Sequence, residues 1–364
     1  MSWLTGRRRP KRPRRSLKRR LLDRLLRLPP GLLERVGGGR VTTDGRHLDP
    51  IYPFLLRFAN RGRAPQELRP EEARSSFLRK VELVGPDPLL MDRIEDRHVE
   101  TDSGTVPVRV YLPPNLAEDP APAVVFYHGG GWVQGDLESH HALCTLIAQR
   151  VPCRVVAVDY RLAPEHPYPA AVDDALAAYR WVATEGSSMR IDPQRIAVMG
   201  DNAGGNLATV TCIQLRDLAR REACDVPQPC AQVLLYPITD WPRDRDSYQA
   251  FGEGLVLDRA TIEWFFERYV DGDGTNDPRV APLRSGDLSD LPPAFIATAF
   301  FDILRDECRD YAKALEQSGV EVRHFEFPGQ AHGFASMTGV LPSARTAVDE
   351  ICSELAYRFH RLKV

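Results

Sequence analysis

Eight short stretches carry the continuous apolar or alternating pattern of β-strands, near 96–101, 107–112, 122–128, 154–159, 195–200, 231–236, 293–298 and 321–326. Most of the later ones are separated by helical spacing, as in 207–218, where apolar side chains return every three or four positions. Strand alternating with helix predicts an α/β fold, with a mostly parallel sheet of about eight strands covered on both faces. The first two strands have no helix between them and should pair antiparallel. Residues 1–90 are helical in character instead, with breaks at Pro29-Pro30, Gly37-Gly38-Gly39 and near Pro86 and Pro88. A second strand-free segment lies between positions 237 and 291. It holds Thr261-Ile262-Glu263-Trp264-Phe265-Phe266-Glu267-Arg268-Tyr269, a helix that Asp258 is placed to start. The chain thus divides into a basic arm with an amphipathic helix (1–45), the first part of a helical cap (46–95), and a core (96–364) with a second cap segment at about 238–290. No internal repeat interrupts this pattern.

The strand at 195–200 ends in the most informative turn of the sequence. Gly200-Asp201-Asn202-Ala203-Gly204-Gly205 has the form of the G-x-S-x-G nucleophile elbow, with Asn where the serine would stand. Strand, sharp turn and helix are the context that this motif requires. The residue at the tip of such a turn takes a positive φ and its neighbours must be small, which accounts for Gly200 and Gly204. Asn tolerates positive φ better than most residues, so the fold should survive the exchange. Serine chemistry should not, because an amide has no hydroxyl proton for a base to remove.

A G-x-N-x-G turn alone is weak evidence, and its companions decide the matter. Tyr127-His128-Gly129-Gly130-Gly131-Trp132 follows an apolar run. It is the H-G-G-G type of loop, whose backbone N–H groups form an oxyanion hole with the N–H after the nucleophile position. The expected donors are Gly129, Gly130, Gly131 and Ala203. The strand at 293–298 leads to Asp302, placed to orient a histidine, with Asp306 as a competitor that also suits a helix start. The last strand leads to Pro328-Gly329-Gln330-Ala331-His332-Gly333-Phe334, where His332 is the expected general base. Position 202, Asp302 and His332 fall in the chain order of an α/β-hydrolase triad. Trp132, Phe251, Phe301 and Phe334 are pocket candidates, each of which could equally be core packing, and Asp201 is a further pocket candidate.

Together these residues resemble the bacterial hormone-sensitive-lipase-like esterases. The likeness rests on the His128 loop, the Gly-Asp-x-Ala-Gly-Gly elbow, Tyr160-Arg161-Leu162-Ala163-Pro164-Glu165-His166-Pro167, and the Asp302 and His332 segments. It spans roughly 95–364, and 39–50 is similar to the N-terminal part of actinobacterial members. The resemblance implies an α/β-hydrolase core with a helical cap and hydrolysis of short- to medium-chain carboxylic esters. It also implies a Ser-Asp-His acyl-enzyme mechanism without a cofactor. The chain departs from the family at Asn202, and at Phe300, where an acidic residue is common and a more apolar surrounding is expected. Three accounts of Asn202 stay open. A serine was exchanged so that ligand binds without turnover; or the chain is a natural binding protein on an esterase scaffold, as plant gibberellin receptors resemble this family; or His332 activates water, with Asn202 as a donor.

Composition narrows the setting. An apolar content of 43% over 364 residues suffices for a large core. The seven cysteines have no paired spacing and read as reduced thiols of a cytoplasmic protein, and no Cys/His group has zinc spacing. No apolar run is long enough to span a membrane. The net charge of −2 is uneven: residues 1–40 carry +12, leaving −14 for the rest. Arg14-Arg15-Ser16-Leu17-Lys18 faintly resembles a twin-arginine signal, but the charged residues after it exclude an export segment. Leu17, Leu21, Leu25 and Leu28, with Leu22 and Leu26, share one side of a helix opposite arginines. Residues 7–28 could therefore lie on an anionic membrane surface, or form a cap helix with a solvated basic face. Nucleic acid is a poor fit, since the arm lacks interleaved aromatics and the body is acidic. A homodimer through the edge strand nearest the C-terminus is compatible with the fold.

Overall fold

The computed structural model describes residues 16–59, 63–114, 116–221, 226–241, 244–270 and 277–362. Residues 1–15 of the basic arm, and Cys224, lie outside these. The described chain opens with α1 (Leu17–Leu25) and α2 (Pro30–Gly37), a small hairpin β1 (Thr42–Thr43) and β2 (Arg46–His47), then α3 (Ile51–Ala59) and α4 (Pro70–Val84). The Ser16 hydroxyl caps α1 by accepting from the Arg19 N–H, and Gly38 ends α2 at φ 108°. The hairpin is not legible in the sequence, because two-residue strands carry no period.

The remaining elements are β3 (Arg93–Thr101), β4 (Gly104–Leu112), β5 (Ala121–Tyr127), α5 (His141–Arg150), β6 (Arg154–Val158), α6 (Ala170–Glu185), β7 (Ile191–Asp201), α7 (Ala203–Arg220) and β8 (Gln232–Leu235). They continue with α8 (Asp246–Phe251), α9 (Arg259–Tyr269), β9 (Ala294–Phe301), α10 (Arg305–Gln317), β10 (Val322–Ala331) and α11 (Pro342–Arg361). The eight strands β3–β10 form one sheet in the order β10-β9-β8-β7-β5-β6-β4-β3. β3 pairs antiparallel with β4, and β4 with β6; every other pairing is parallel. This is an α/β-hydrolase fold.

Strand period 2 splits the core in two. Val125 and Tyr127 of β5 and Ile196 and Val198 of β7 face one side, with α6, α7 and part of α10. Val124, Phe126, Ala197 and Met199 face the other, with α5 and α11. The central strands are buried on both faces, which explains their unbroken apolar runs. β3 lies at one edge and alternates between exposed and partly covered positions. At the other edge, β10 is braced by the hairpin: the Asp49 N–H donates to the Gly329 carbonyl, and Arg46 pairs with Glu326.

The N-terminal helix departs from expectation. Arg19, placed on a solvated basic face by the sequence, is buried. Its guanidinium donates to the carbonyls of Leu83, Gly85 and Gly339 and pairs with Asp23. Leu22, Leu26 and Leu28 pack inward, whereas Leu17, Leu21 and Leu25 remain exposed. The predicted apolar side is therefore divided between core and solvent.

Candidate active site

β7 ends at Asp201, and α7 starts at Ala203, so Asn202 is the whole turn. Its backbone sits at φ 53°, ψ −116°, a conformation that costs roughly 1–3 kcal/mol. Three hydrogen bonds hold it there: its N–H donates to Leu235, and its carbonyl accepts from Ile238 and Asn206. At about 1 kcal/mol each they offset the strain. The flanking glycines are steric requirements. A Cβ on Gly200 would collide with Gly204, and one on Gly204 would collide with the Tyr127 carbonyl.

Strand register brings Asp302 and His332 together. Ala331 of β10 pairs with Phe301 of β9 after a register shift. The next residue on each strand is then His332 and Asp302. His332 Nδ1 donates to Asp302 Oδ2 at 2.8 Å. Asp306, the competing acid, instead accepts from the Ser247 N–H and from Arg305 in the first turn of α10. Because a carboxylate only accepts, Nδ1 carries the hydrogen and Nε2 is left as an acceptor. Nε2 faces the Asn202 amide nitrogen at 3.2 Å.

The amide oxygen points the opposite way. Asn202 Oδ1 accepts from the N–H groups of Gly131 at 3.0 Å and Gly130 at 3.4 Å. The side chain thus occupies two N–H groups of the glycine loop. Ala203 opens α7, so its N–H is among those a helix start leaves unpaired. Gly129, the fourth expected donor, is otherwise engaged: its N–H donates to Asp201 Oδ1 at 2.8 Å. The oxyanion loop needs all three glycines for space. Cβ atoms would strike the Asp201 carboxylate at 129, the Gln134 backbone at 130 and the Phe265 ring at 131.

Asp201 accordingly anchors the glycine loop. It is buried and lies 3.1 Å from His140 Nε2. Burial pushes its carboxyl up, but His140, His128 and the Gly129 N–H outweigh this and hold it below the usual range. His128 stacks on Tyr160, whose hydroxyl donates to the His128 carbonyl. Burial, reinforced by His140, lowers the His128 pKa to about 4, so this imidazole is neutral at pH 7. No local pattern marks His140, which sits at the start of an ordinary helix. Sequence reasoning also misses Tyr236, whose ring meets His332 edge-on at 4.8 Å and braces it.

The other pocket candidates are packed against neighbouring aromatic rings. Phe251 and Phe301 form an aromatic cluster with Phe300, across which Arg305 lies. Phe300 is covered by the Arg46 guanidinium at 4.4 Å, a cation–π contact at the position where the family commonly has an acid. Phe334 packs edge-on against Tyr236. Trp132 stacks flat on Tyr269 of α9 at 4.2 Å and meets Phe266, which ties α9 to the oxyanion loop. The Asp258 carboxylate caps α9 by accepting from the Thr261 N–H, as expected. Asn202 and His332 are only 4% and 8% exposed, so both are nearly enclosed.

The arrangement is an Asp302–His332 pair facing the Asn202 amide at a strand–turn–helix elbow. Comparison with known proteins agrees with its frame. A family profile for the alpha/beta hydrolase fold matches residues 124–336. The carboxylic ester hydrolase LipN of Mycobacterium tuberculosis is 38% identical over 332 residues, 89% of this chain and 87% of its own. The ethyl acetate hydrolase of Pseudomonas putida is 39% identical over 308 residues, 82% and 95% of the two chains. Among solved structures, the hyperthermophilic esterase of the archaeon Pyrobaculum calidifontis superposes with a TM-score of 0.78 at 35% identity, covering 85% of this chain and 98% of its own. With its elbow, glycine loop and Asp–His pair in this frame, the chain belongs to the α/β-hydrolase family, among the hormone-sensitive-lipase-like carboxylic ester hydrolases.

Proposed function

We propose that this chain binds short- to medium-chain carboxylic esters at the Asn202–His332–Asp302 site and, with Asn at 202, does not turn them over at an esterase's rate. The observation that carries this reading is the intact Asp302–His332 pair beside an amide at the elbow. With Ser at 202, His332 would take the hydroxyl proton as the oxygen attacks the ester carbonyl. Gly130, Gly131 and Ala203 would hold the oxyanion, and water would then release the acid. The name of the ethyl acetate hydrolase supports short acyl and alcohol groups. The segments 46–95 and 238–290 act as the cap, and α9 must move off Trp132 for an ester to enter.

The test is hydrolysis of p-nitrophenyl esters of graded acyl length by this chain and by Asn202→Ser. We expect Ser to raise kcat on the order of 10⁵–10⁶-fold, the scale on which a serine nucleophile acts. If Asn202→Ser stays inactive on every ester while it binds them, the chain is a ligand-binding protein on an esterase scaffold.

The surface of α1 and α2 supports contact with an anionic lipid surface. Leu17, Leu21, Leu25, Leu32 and Val36 are exposed there, beside exposed Lys18, Arg20, Arg24, Arg27 and Arg35. Apolar side chains rimmed by cations fit the headgroup boundary. Among the described residues no helix is long and apolar enough to cross a membrane. The chain should sediment with vesicles containing phosphatidylglycerol and not with pure phosphatidylcholine, and Leu21→Asp should weaken this. Equal sedimentation of Leu21→Asp would remove the proposal.

A further inference from the structure

We infer that the acyl-transfer apparatus acts on the chain's own Asn202 side chain and hydrolyses it in place to aspartate. The inference rests on the acyl-transfer reading of the site and adds a substrate to it. A carboxamide is a carboxylic acid derivative, as an ester is, with a carbonyl to polarise and a leaving group to protonate. Both ends of this one are already in catalytic positions. Oδ1 rests on the Gly130 and Gly131 N–H groups, where charge would develop as the carbonyl is attacked. Nδ2, the atom that must leave, rests on His332 Nε2, and Asp302 holds the other ring nitrogen. No binding step is needed, and a group fixed in this way gains the advantage of an intramolecular reaction.

The missing reactant is water. The His332 side chain keeps 11% of its surface open to solvent, which is where the mechanism takes its water. Water attacks Cγ and gives its proton to His332 Nε2. The carbonyl π pair moves onto Oδ1. As the pair returns, the C–N bond breaks and the His332 proton passes to Nδ2. Ammonia leaves, and after proton exchange with solvent the products are an aspartate carboxylate at position 202 and ammonium. Asn206 provides an internal contrast. It is also buried, but its amide nitrogen is bound by the Ile238 and Val280 carbonyls, with no base beside it.

A His332-independent route exists in principle, in which the Ala203 backbone nitrogen attacks Cγ and a cyclic imide opens to both aspartate and isoaspartate. The two routes differ in product and in dependence on His332.

The test is peptide mass mapping of the full chain during incubation at neutral pH, with Asn202 and Asn206 followed separately. We expect the amide-to-acid mass change at 202 and not at 206, as aspartate without isoaspartate. Conversion should be at least tenfold slower in His332→Ala and in Asp302→Asn, the second of which keeps the shape of the site if the first misfolds. An unchanged amide at 202, an equal rate in both variants, or a mixture containing isoaspartate would overturn the inference. Asn202→Ser assayed on esters separates the levels. If it is active while Asn202 in the parent chain stays an amide, only self-hydrolysis fails. If it is inactive and Asn202 also persists, the acyl-transfer reading fails with it.

Discussion

Gly131 and Asn202 are donor and acceptor across the elbow: the Gly131 N–H points at Asn202 Oδ1 from 3.0 Å. The side chain therefore competes with any ligand oxygen for the same donors. Truncation should release them. Asn202→Gly should bind a short alkyl phosphonate, whose anionic oxygens need those N–H groups, about tenfold or more tightly than the parent, since a hydrogen bond to a charged group contributes roughly 1.5–3 kcal/mol. Titration calorimetry on the two proteins measures this. Equal affinities would mean that the amide swings aside without cost.

The elbow should be intolerant of a single methyl group. Gly204→Ala places a Cβ against the Tyr127 carbonyl, which is backbone and central in the sheet. We expect a loss of about 3 kcal/mol or more, the upper range for overpacking. A Cβ at Gly286 would meet no atom within 4 Å, so Gly286→Ala should change stability by roughly 0.5 kcal/mol or less. Urea unfolding of both variants checks the contrast.

Stability should fall with rising pH because of Glu307. This carboxyl is buried beneath the Thr239 and Asp240 N–H groups, which donate to it. Burial pushes its pKa up to about 8, partly opposed by those N–H groups and by Arg245, with Asp240 adding to the rise. The folded state then holds a proton that the unfolded chain releases near its ordinary value. Between about pH 4.5 and pH 8 the unfolded state binds fewer protons, so this group's contribution declines through that window. Glu307→Gln keeps the acceptor oxygen and removes the titration. Its Tm relative to the parent should rise from about pH 5 to about pH 9. A constant difference would show that Glu307 ionises without penalty.

The strands are legible because burial on both faces requires apolar runs, and the turn at Asn202 and the glycine loop are legible because each is a local sequence pattern. What escapes is set by pairing across long sequence distances. Phe300 faces Arg46, 254 positions earlier, and only the hairpin's seat on β10 brings them together. His140 becomes a partner of Asp201 through the packing of α5 under the sheet, which no local spacing encodes. β7 begins at Ile191, although Asp192, Pro193, Gln194 and Arg195 hide its first half. The glycine-loop motif makes Gly129 an oxyanion donor, but the neighbouring Asp201 takes its N–H.

Arg19 adds an order of events. Its guanidinium is satisfied by carbonyls at 83 and 85 and by one at 339, 320 positions further along. A ribosome delivers residue 339 only 320 residues after residue 19. The partners at 23, 83 and 85 are therefore within reach early, but the set is complete only once the segment at 339 is in place, so the last bond of the first helix waits on a distant part of the fold.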